Sequence, residues 1–272
     1  MAKQKFNTVP AKLVAAFDAS GKEASELVVV AGFISSQEDW RTFDKEWRAR
    51  LRADGLDYFH MVDFANFRKQ FAIGWREDET RRQKLFADLI GIIKGNVYRQ
   101  FASAVEMRTF STLSEENKKE YALNAYVLAA RSCAADVRIW QEKENFKPAT
   151  AYVFEEGDEG KGKMIERFLG DNISLPLFKP KKDSVKPDGT AIGGYTPLQA
   201  ADILCYELHK PHRDLLIGKP RLDKFRWGLE QLSKIPGEPG YYSPQNMAEL
   251  NQRFNELAMT NAAAPEEAPG EL

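Results

Sequence analysis

Apolar and polar positions along the chain change period several times, and each change marks an element. Lys12–Asp18 and Leu27–Ser35 are short apolar runs that read as strands. Between them Ala19-Ser-Gly-Lys-Glu-Ala-Ser-Glu26 is a polar, glycine-containing connection of the hairpin type. Ser36-Gln-Glu-Asp39 then matches a capping box, and Trp40, Phe43, Trp47 and Leu51 recur at helical spacing to about Arg52. Leu56–His60 reads as a short strand, and Met61–Phe71 as a helical turn and loop. A second amphipathic helix spans about Glu77–Lys94, with Leu85, Phe86, Leu89, Ile90 and Ile93 on one face; Gly95-Asn96 stops it, and Val97–Met107 follows as a strand.

The second half continues the alternation. Ser114 opens a long helix expected to run unbroken to about Glu142, its first turn rich in glutamate as the positive end of a helix favours. Pro148–Glu155 is a strand, Lys161–Leu169 a helix after a glycine-rich turn, and Ile173–Phe178 a strand that Pro176 assigns to an edge. Lys179–Tyr195 is a long loop rich in lysine, proline and glycine. The next helix starts at Pro197, with Thr196 as its cap and Gln199 completing Thr-x-x-Gln. Further helices are expected near Asp223–Ser233 and Met247–Ala258. Two adjacent strands followed by alternating strands and helices indicate an α/β fold, a mixed sheet covered by helices. Residues 1–260 read as one domain with helical insertions, and the low-complexity residues 261–272 as a flexible tail.

Composition narrows the function classes. With 43% hydrophobic residues and 17 Phe among 272 residues, the chain can bury a sizeable core. No apolar run approaches the ~20 residues of a membrane helix, and no signal peptide is expected behind Met1. Cys133 and Cys205 sit in apolar helical stretches and read as buried thiols of a cytoplasmic protein. The 39 basic residues against 40 acidic ones argue against a non-specific nucleic-acid coat. They are compatible with a local basic lip, for which Lys161, Lys163, Arg167, Lys179, Lys181, Lys182 and Lys186 are candidates. A solvated loop face is the other reading of the same residues.

Three acids interrupt this pattern. Asp18 ends one apolar run, Glu155 ends another (Ala151-Tyr-Val-Phe154), and Asp202 lies within the apolar helix of Leu198-Gln-Ala-Ala-Asp-Ile-Leu204. A carboxylate near a core is costly unless it is paired or binds a cation. Two acids at strand ends and one on a helix suit a divalent metal such as Mg²⁺, which takes hard oxygen ligands. Each acid also has a plainer role. Asp18 before Ser20-Gly21 can initiate a turn. Glu155, Glu156 and Asp158 can line an exposed turn, and which of Glu155 and Glu156 points inward stays open. Asp202 can bond to a neighbouring loop, and Gln199 can serve its capping box. His60 and Asp63 share a face if their segment is helical, and so are accessory candidates for proton transfer or phosphate binding. His209-x-x-His212 is not a convincing zinc site, because Pro211 is expected to break the helix between the two.

The motifs Phe17-Asp-Ala-Ser-Gly21, Val30-Ala-Gly-Phe33 with Trp40, Phe59-His-Met-Val-Asp-Phe64, Phe154-Glu-Glu-Gly-Asp158 with Gly160-Lys-Gly162, and Leu198-Gln-Ala-Ala-Asp202 resemble, in this order, a bacterial and phage family. It is catalogued as domain of unknown function 3800 and grouped with ribonuclease-H-like proteins. The resemblance implies a five-stranded mixed sheet flanked by helices, here with extra C-terminal helices. It also implies metal-binding acids on the first strand, the fourth strand and a late helix, corresponding to Asp18, Glu155 and Asp202. Many members carry an acid directly after the first Asp, where this chain has Ala19.

The expectation is therefore a Mg²⁺- or Mn²⁺-dependent phosphodiester hydrolase acting on nucleic acid. Asp18, Glu155 and Asp202 would be its metal ligands and catalytic residues, and Lys161, Lys163, Lys181 and Lys182 would receive phosphates. The alternative is a non-catalytic ribonuclease-H-like module that binds a protein or nucleic-acid partner.

Overall fold

Successive side chains of an extended strand point to opposite faces, and every residue of the second apolar run, Leu27–Ser35, is buried, so both faces of the sheet must be covered. The computed structural model describes residues 12–21, 25–122, 124–146, 149–157, 160–185, 187–219 and 226–263. In chain order its elements are β1 (Leu13–Ser20), β2 (Leu27–Ser36), α1 (Gln37–Ala53), α2 (Met61–Ala65), α3 (Glu79–Asn96), β3 (Arg99–Glu106), α4 (Met107–Phe110), α5 (Glu115–Asn117) and α6 (Ala125–Lys143). There follow β4 (Thr150–Glu155), α7 (Lys161–Gly170), β5 (Leu177–Lys179), β6 (Ser184–Val185), β7 (Ala191–Ile192), α8 (Thr196–Leu216), α9 (Trp227–Leu232), β8 (Pro239–Tyr242) and α10 (Pro244–Ala263).

Six strands form one mixed sheet in the order β5-β4-β1-β2-β3-β8. β1, β2 and β3 are antiparallel neighbours, whereas β4 lies parallel to β1 and β5 parallel to β4. Five of these strands make the mixed sheet expected from the sequence, with helices on both faces. The sixth strand, β8, is an addition that pairs in parallel with β3. Its Pro-Gly-Tyr-Tyr sequence carries turn residues and was not expected to form a strand. One core lies between the sheet and α1, α3 and α8, and holds Val14, Ala16, Val153, Trp47 and Leu204. The other lies beneath α6, α7 and α10, and holds Ala15, Phe17, Phe154, Val137 and Met247.

Several expectations for individual elements need correction. The helix from Ser114 is not continuous: α5 gives way to a π-helical stretch, Lys118–Ala122, and a new helix starts at Asn124, whose side chain accepts a 2.7 Å bond from the Val127 N–H. That local cap competes with helix continuation. Leu56–His60 forms no strand, because side-chain amides satisfy its backbone: Gln70 Oε1 accepts from Asp57 N at 3.1 Å and Gln199 Oε1 from Phe59 N at 2.8 Å. Pro211 does not end α8, which continues to Leu216 with Lys210 and Asp214 paired at 2.9 Å across the same turn. The helix expected near Asp223–Ser233 is described as α9, Trp227–Leu232, while residues 220–225 lie outside the described residues. At the other end α10 reaches Ala263, past the expected start of the tail, and residues 264–272 also lie outside the described residues.

β1 can approach β2 at the end nearest Asp18 because Gly32 opposes Phe17. A Cβ built on Gly32 would lie 1.9 Å from the Ala16 carbonyl oxygen, a backbone atom that cannot turn aside. Gly32→Ala is expected to cost about 3 kcal/mol or more, read as a lower urea midpoint; a loss below about 0.5 kcal/mol would show that β1 yields freely. On α8, burial and then Arg213 hold the His209 imidazole below its ordinary 6.5. A depressed pKa contributes stability above the unfolded value that is lost as pH falls toward the folded one. Thermal unfolding between about pH 7 and about pH 5 should thus steepen in the wild type and flatten in His209→Asn.

Candidate metal centre

Parallel pairing of β1 with β4 sets Phe17 opposite Phe154, so the residues that follow, Asp18 and Glu155, stand side by side. Alternation sends Phe17 and Phe154 into the core beneath α6 and α7, where their rings stack at 5.5 Å. Asp18 and Glu155 take the opposite face, the one covered by α8. Asp202 lies in the second turn of α8, and Cys205, one turn on, donates its thiol to the Asp18 carbonyl at 2.9 Å. That contact fixes the distance of the helix from β1. The three acids, remote in sequence, meet at one point.

The atom at that point is the Lys181 ammonium. Its Nζ lies 2.8 Å from Asp18 Oδ2, 3.0 Å from Glu155 Oε2 and 3.4 Å from Asp202 Oδ1. Lys181 was expected on an exposed phosphate-receiving loop; instead it is 8% exposed and turned inward. Three semi-buried carboxylates require a cation, and a lysine stem long enough to reach them lies on the loop that follows β5. Asp18 and Asp202 are buried, whereas the Glu155 side chain keeps 28% exposure and marks the side on which the cluster meets solvent.

The electrostatics follow from burial and opposed charge. Desolvation raises the Asp18 carboxyl well above its ordinary range, against the pull of Lys181 and with repulsion from Asp202 and Glu155 adding to it. Burial pulls the Lys181 ammonium the other way, but the three carboxylates outweigh it and hold it well above its ordinary value. The lysine therefore carries its charge, and three acids face one ammonium. Asp18 Oδ1 is buried and has no hydrogen-bond partner. A buried carboxylate oxygen left without a partner is costly, and an oxygen donor of this kind suits a hard divalent cation. The residues present thus fit Mg²⁺ or Mn²⁺ in donor chemistry. Their contacts are at ammonium distances, longer than the ~2.1 Å of Mg²⁺–oxygen bonds, and among the described residues no three His, Cys, Asp or Glu side chains are drawn together as a metal site.

The other candidates divide between this cluster and its surroundings. Glu156 points away, half exposed, 3.8 Å from Lys161, so Glu155 is the acid in the cluster. Ala19 packs on the opposite face of the sheet, and an acid there would point away from Asp18. Asp158 lies outside the described residues. His60 and Asp63 form a separate pair at 2.9 Å, which Lys69 joins at 2.9 Å from the same carboxylate oxygen. This pair adjoins the cluster, because Met61 N, the first backbone donor of α2, bonds to Asp202 Oδ2 at 2.6 Å. Lys161 lies over the Phe178 ring and Lys182 over Tyr58, while Lys163 is exposed.

Gln199 does not cap its own helix. Its Oε1 accepts from Trp47 Nε1 and from Phe59 N, each at 2.8 Å, and its Nε2 donates to the Lys181 carbonyl at 2.8 Å. Thr196 does not cap α8 either and donates to Asp44 Oδ1 at 2.7 Å. A buried amide with this many partners holds α1, the segment before α2 and the Lys181 backbone against α8. The Thr-x-x-Gln spacing offered a local use for Gln199, which concealed this one.

No family model matches the chain, and no curated protein does. Among solved structures, a chain of the PCNA:RNase HII complex from Archaeoglobus fulgidus is similar over 96% of this chain and 96% of its own, at 15% identity and a TM-score of 0.36. The fold is read from the order and direction of the strands.

Gln199→Leu keeps the volume and leaves the Trp47 indole, the Phe59 N–H and the Lys181 carbonyl without partners. At about 1–3 kcal/mol for each orphaned group, the expected loss is about 3–9 kcal/mol by urea unfolding. A near-neutral result would mean that solvent reaches these groups.

Proposed function

We propose that the protein is a divalent-metal-dependent phosphodiester hydrolase of the nuclease kind, using Mg²⁺ or Mn²⁺ held by Asp18, Glu155 and Asp202, and that its motifs place it with the domain of unknown function 3800 family. The observation that carries this reading is the convergence of three carboxylates from β1, β4 and α8 on one cationic centre, with Asp18 Oδ1 buried and unpartnered beside it. When bound, such a cation supplies Lewis-acid stabilisation of the charge that develops at a phosphodiester.

The chain's own residues supply the rest. The Met61 N–H holds one oxygen of Asp202 and leaves the other for the cation position. Glu155, the most exposed of the three acids, borders the side from which a substrate would enter. His60, fixed by Asp63, stands next to Met61 as a proton-transfer group outside the metal ligands. Lys161, Lys163 and Lys182 are exposed cations that would receive a phosphate backbone. A second reading, a non-catalytic module that binds a protein or nucleic-acid partner, draws on Lys181: a cluster bridged by its own lysine needs no metal to stand.

The test is a panel of single-stranded, double-stranded and hybrid nucleic acids with Mg²⁺ or Mn²⁺, comparing wild type with Asp202→Asn. Metal-dependent cleavage that falls by about 10²-fold or more in the variant is expected. Binding without cleavage, indifferent to chelator, supports the module instead.

A further inference from the structure

We infer that Lys181 is the protein's own occupant of the cation position, an ammonium that holds Asp18, Glu155 and Asp202 in place until a divalent cation displaces it. This rests on the metal reading above and states how the site is filled before the metal arrives.

Three observations carry it. The ammonium sits where the three carboxylates converge, so it and a shared metal ion compete for one place. The backbone beneath it is fixed: the Lys181 carbonyl accepts from Gln199 Nε2 at 2.8 Å, and the Pro180 carbonyl accepts from Tyr195 N at 2.8 Å. Exchange therefore needs only rotation of a flexible four-carbon stem, without movement of the loop. Finally, the stem has somewhere to go. Its neighbours Lys179 and Lys182 are exposed, over the rings of Tyr195 and Tyr58, and the cluster meets solvent beside Glu155.

Charge gives the direction of exchange. The single ammonium leaves Asp18 Oδ1 without a partner, so a divalent ion satisfies the oxygens of the cluster better than the lysine does. Without metal, Lys181 removes most of the repulsion among the acids and the fold stands. With metal, the freed ammonium comes to lie at the mouth, where a phosphate group would approach.

The experiment measures Mn²⁺ binding by calorimetry on the full-length wild type, Lys181→Met and Lys163→Met, counting only binding that Asp202→Asn abolishes. Lys181→Met is expected to bind Mn²⁺ about tenfold or more tightly than wild type, and to melt lower in chelator with recovery on adding Mn²⁺. Lys163→Met is expected to match wild type. Should Lys181→Met fail to fold, amine acylation of the wild type followed by mass spectrometry decides. Lys181 modification is expected to rise about fivefold or more with Mn²⁺ while Lys163 stays constant, since withdrawal exposes a buried amine. Mn²⁺ binding that is equal in wild type and Lys181→Met, or that leaves Lys181 protected, overturns the inference and spares the metal reading. No Mn²⁺ binding in any variant overturns both.

Discussion

Three carboxylates near a core cannot stand without a cation, and the rest of the site is arranged around that constraint. The Lys181 ammonium meets it by joining β1, β4, α8 and the loop after β5 at one atom. Its contacts span residues far apart in sequence, so the cluster exists only once the sheet has formed and α8 has docked. An uncompensated buried charge costs several kcal/mol, which makes the cluster a condition on the docking of α8.

Gln199 is the neutral counterpart of this charged centre. A single buried amide, with partners on α1, before α2 and on the Lys181 loop, holds the walls of the cluster in register. Side chains of this kind fix geometry where backbone ladders cannot reach. The segment before α2 shows the effect: it remains outside the sheet because Gln70 and Gln199 supply what a strand partner would have supplied. The same segment delivers the Met61 N–H to Asp202, so that acid binds the loop through one oxygen and faces the cationic centre through the other. The structural and the metal-ligand readings of Asp202 are compatible within one side chain.

Sheet and helices were legible in the chain because they are written in short-range periodicity. Alternation in Leu13–Phe17 and Tyr152–Glu155 assigns faces before any partner is known, and the Trp40-Phe43-Trp47-Leu51 spacing assigns the buried side of α1. Elements whose partners are distant were misread. β8 carries proline and glycine and becomes a strand only because β3 offers it an edge. A local signal was passed over as well: the helix from Ser114 breaks where Asn124 caps a new one. Pro211 stays inside α8, where the remaining bonds of a long docked helix outweigh one missing donor.

By itself, then, the sequence determined which residues are apolar, on which face of each element they lie, and that acids at 18, 155 and 202 were out of place for solubility alone. Tertiary structure decided that these acids share one point, that Glu155 and not Glu156 belongs there, and that Ala19 faces the other way. It alone turned Lys181 from an expected surface cation into the centre of the cluster. The reason is physical: a side chain's face follows from local backbone geometry, whereas its partner depends on which distant segments the packed sheet brings within a few ångströms.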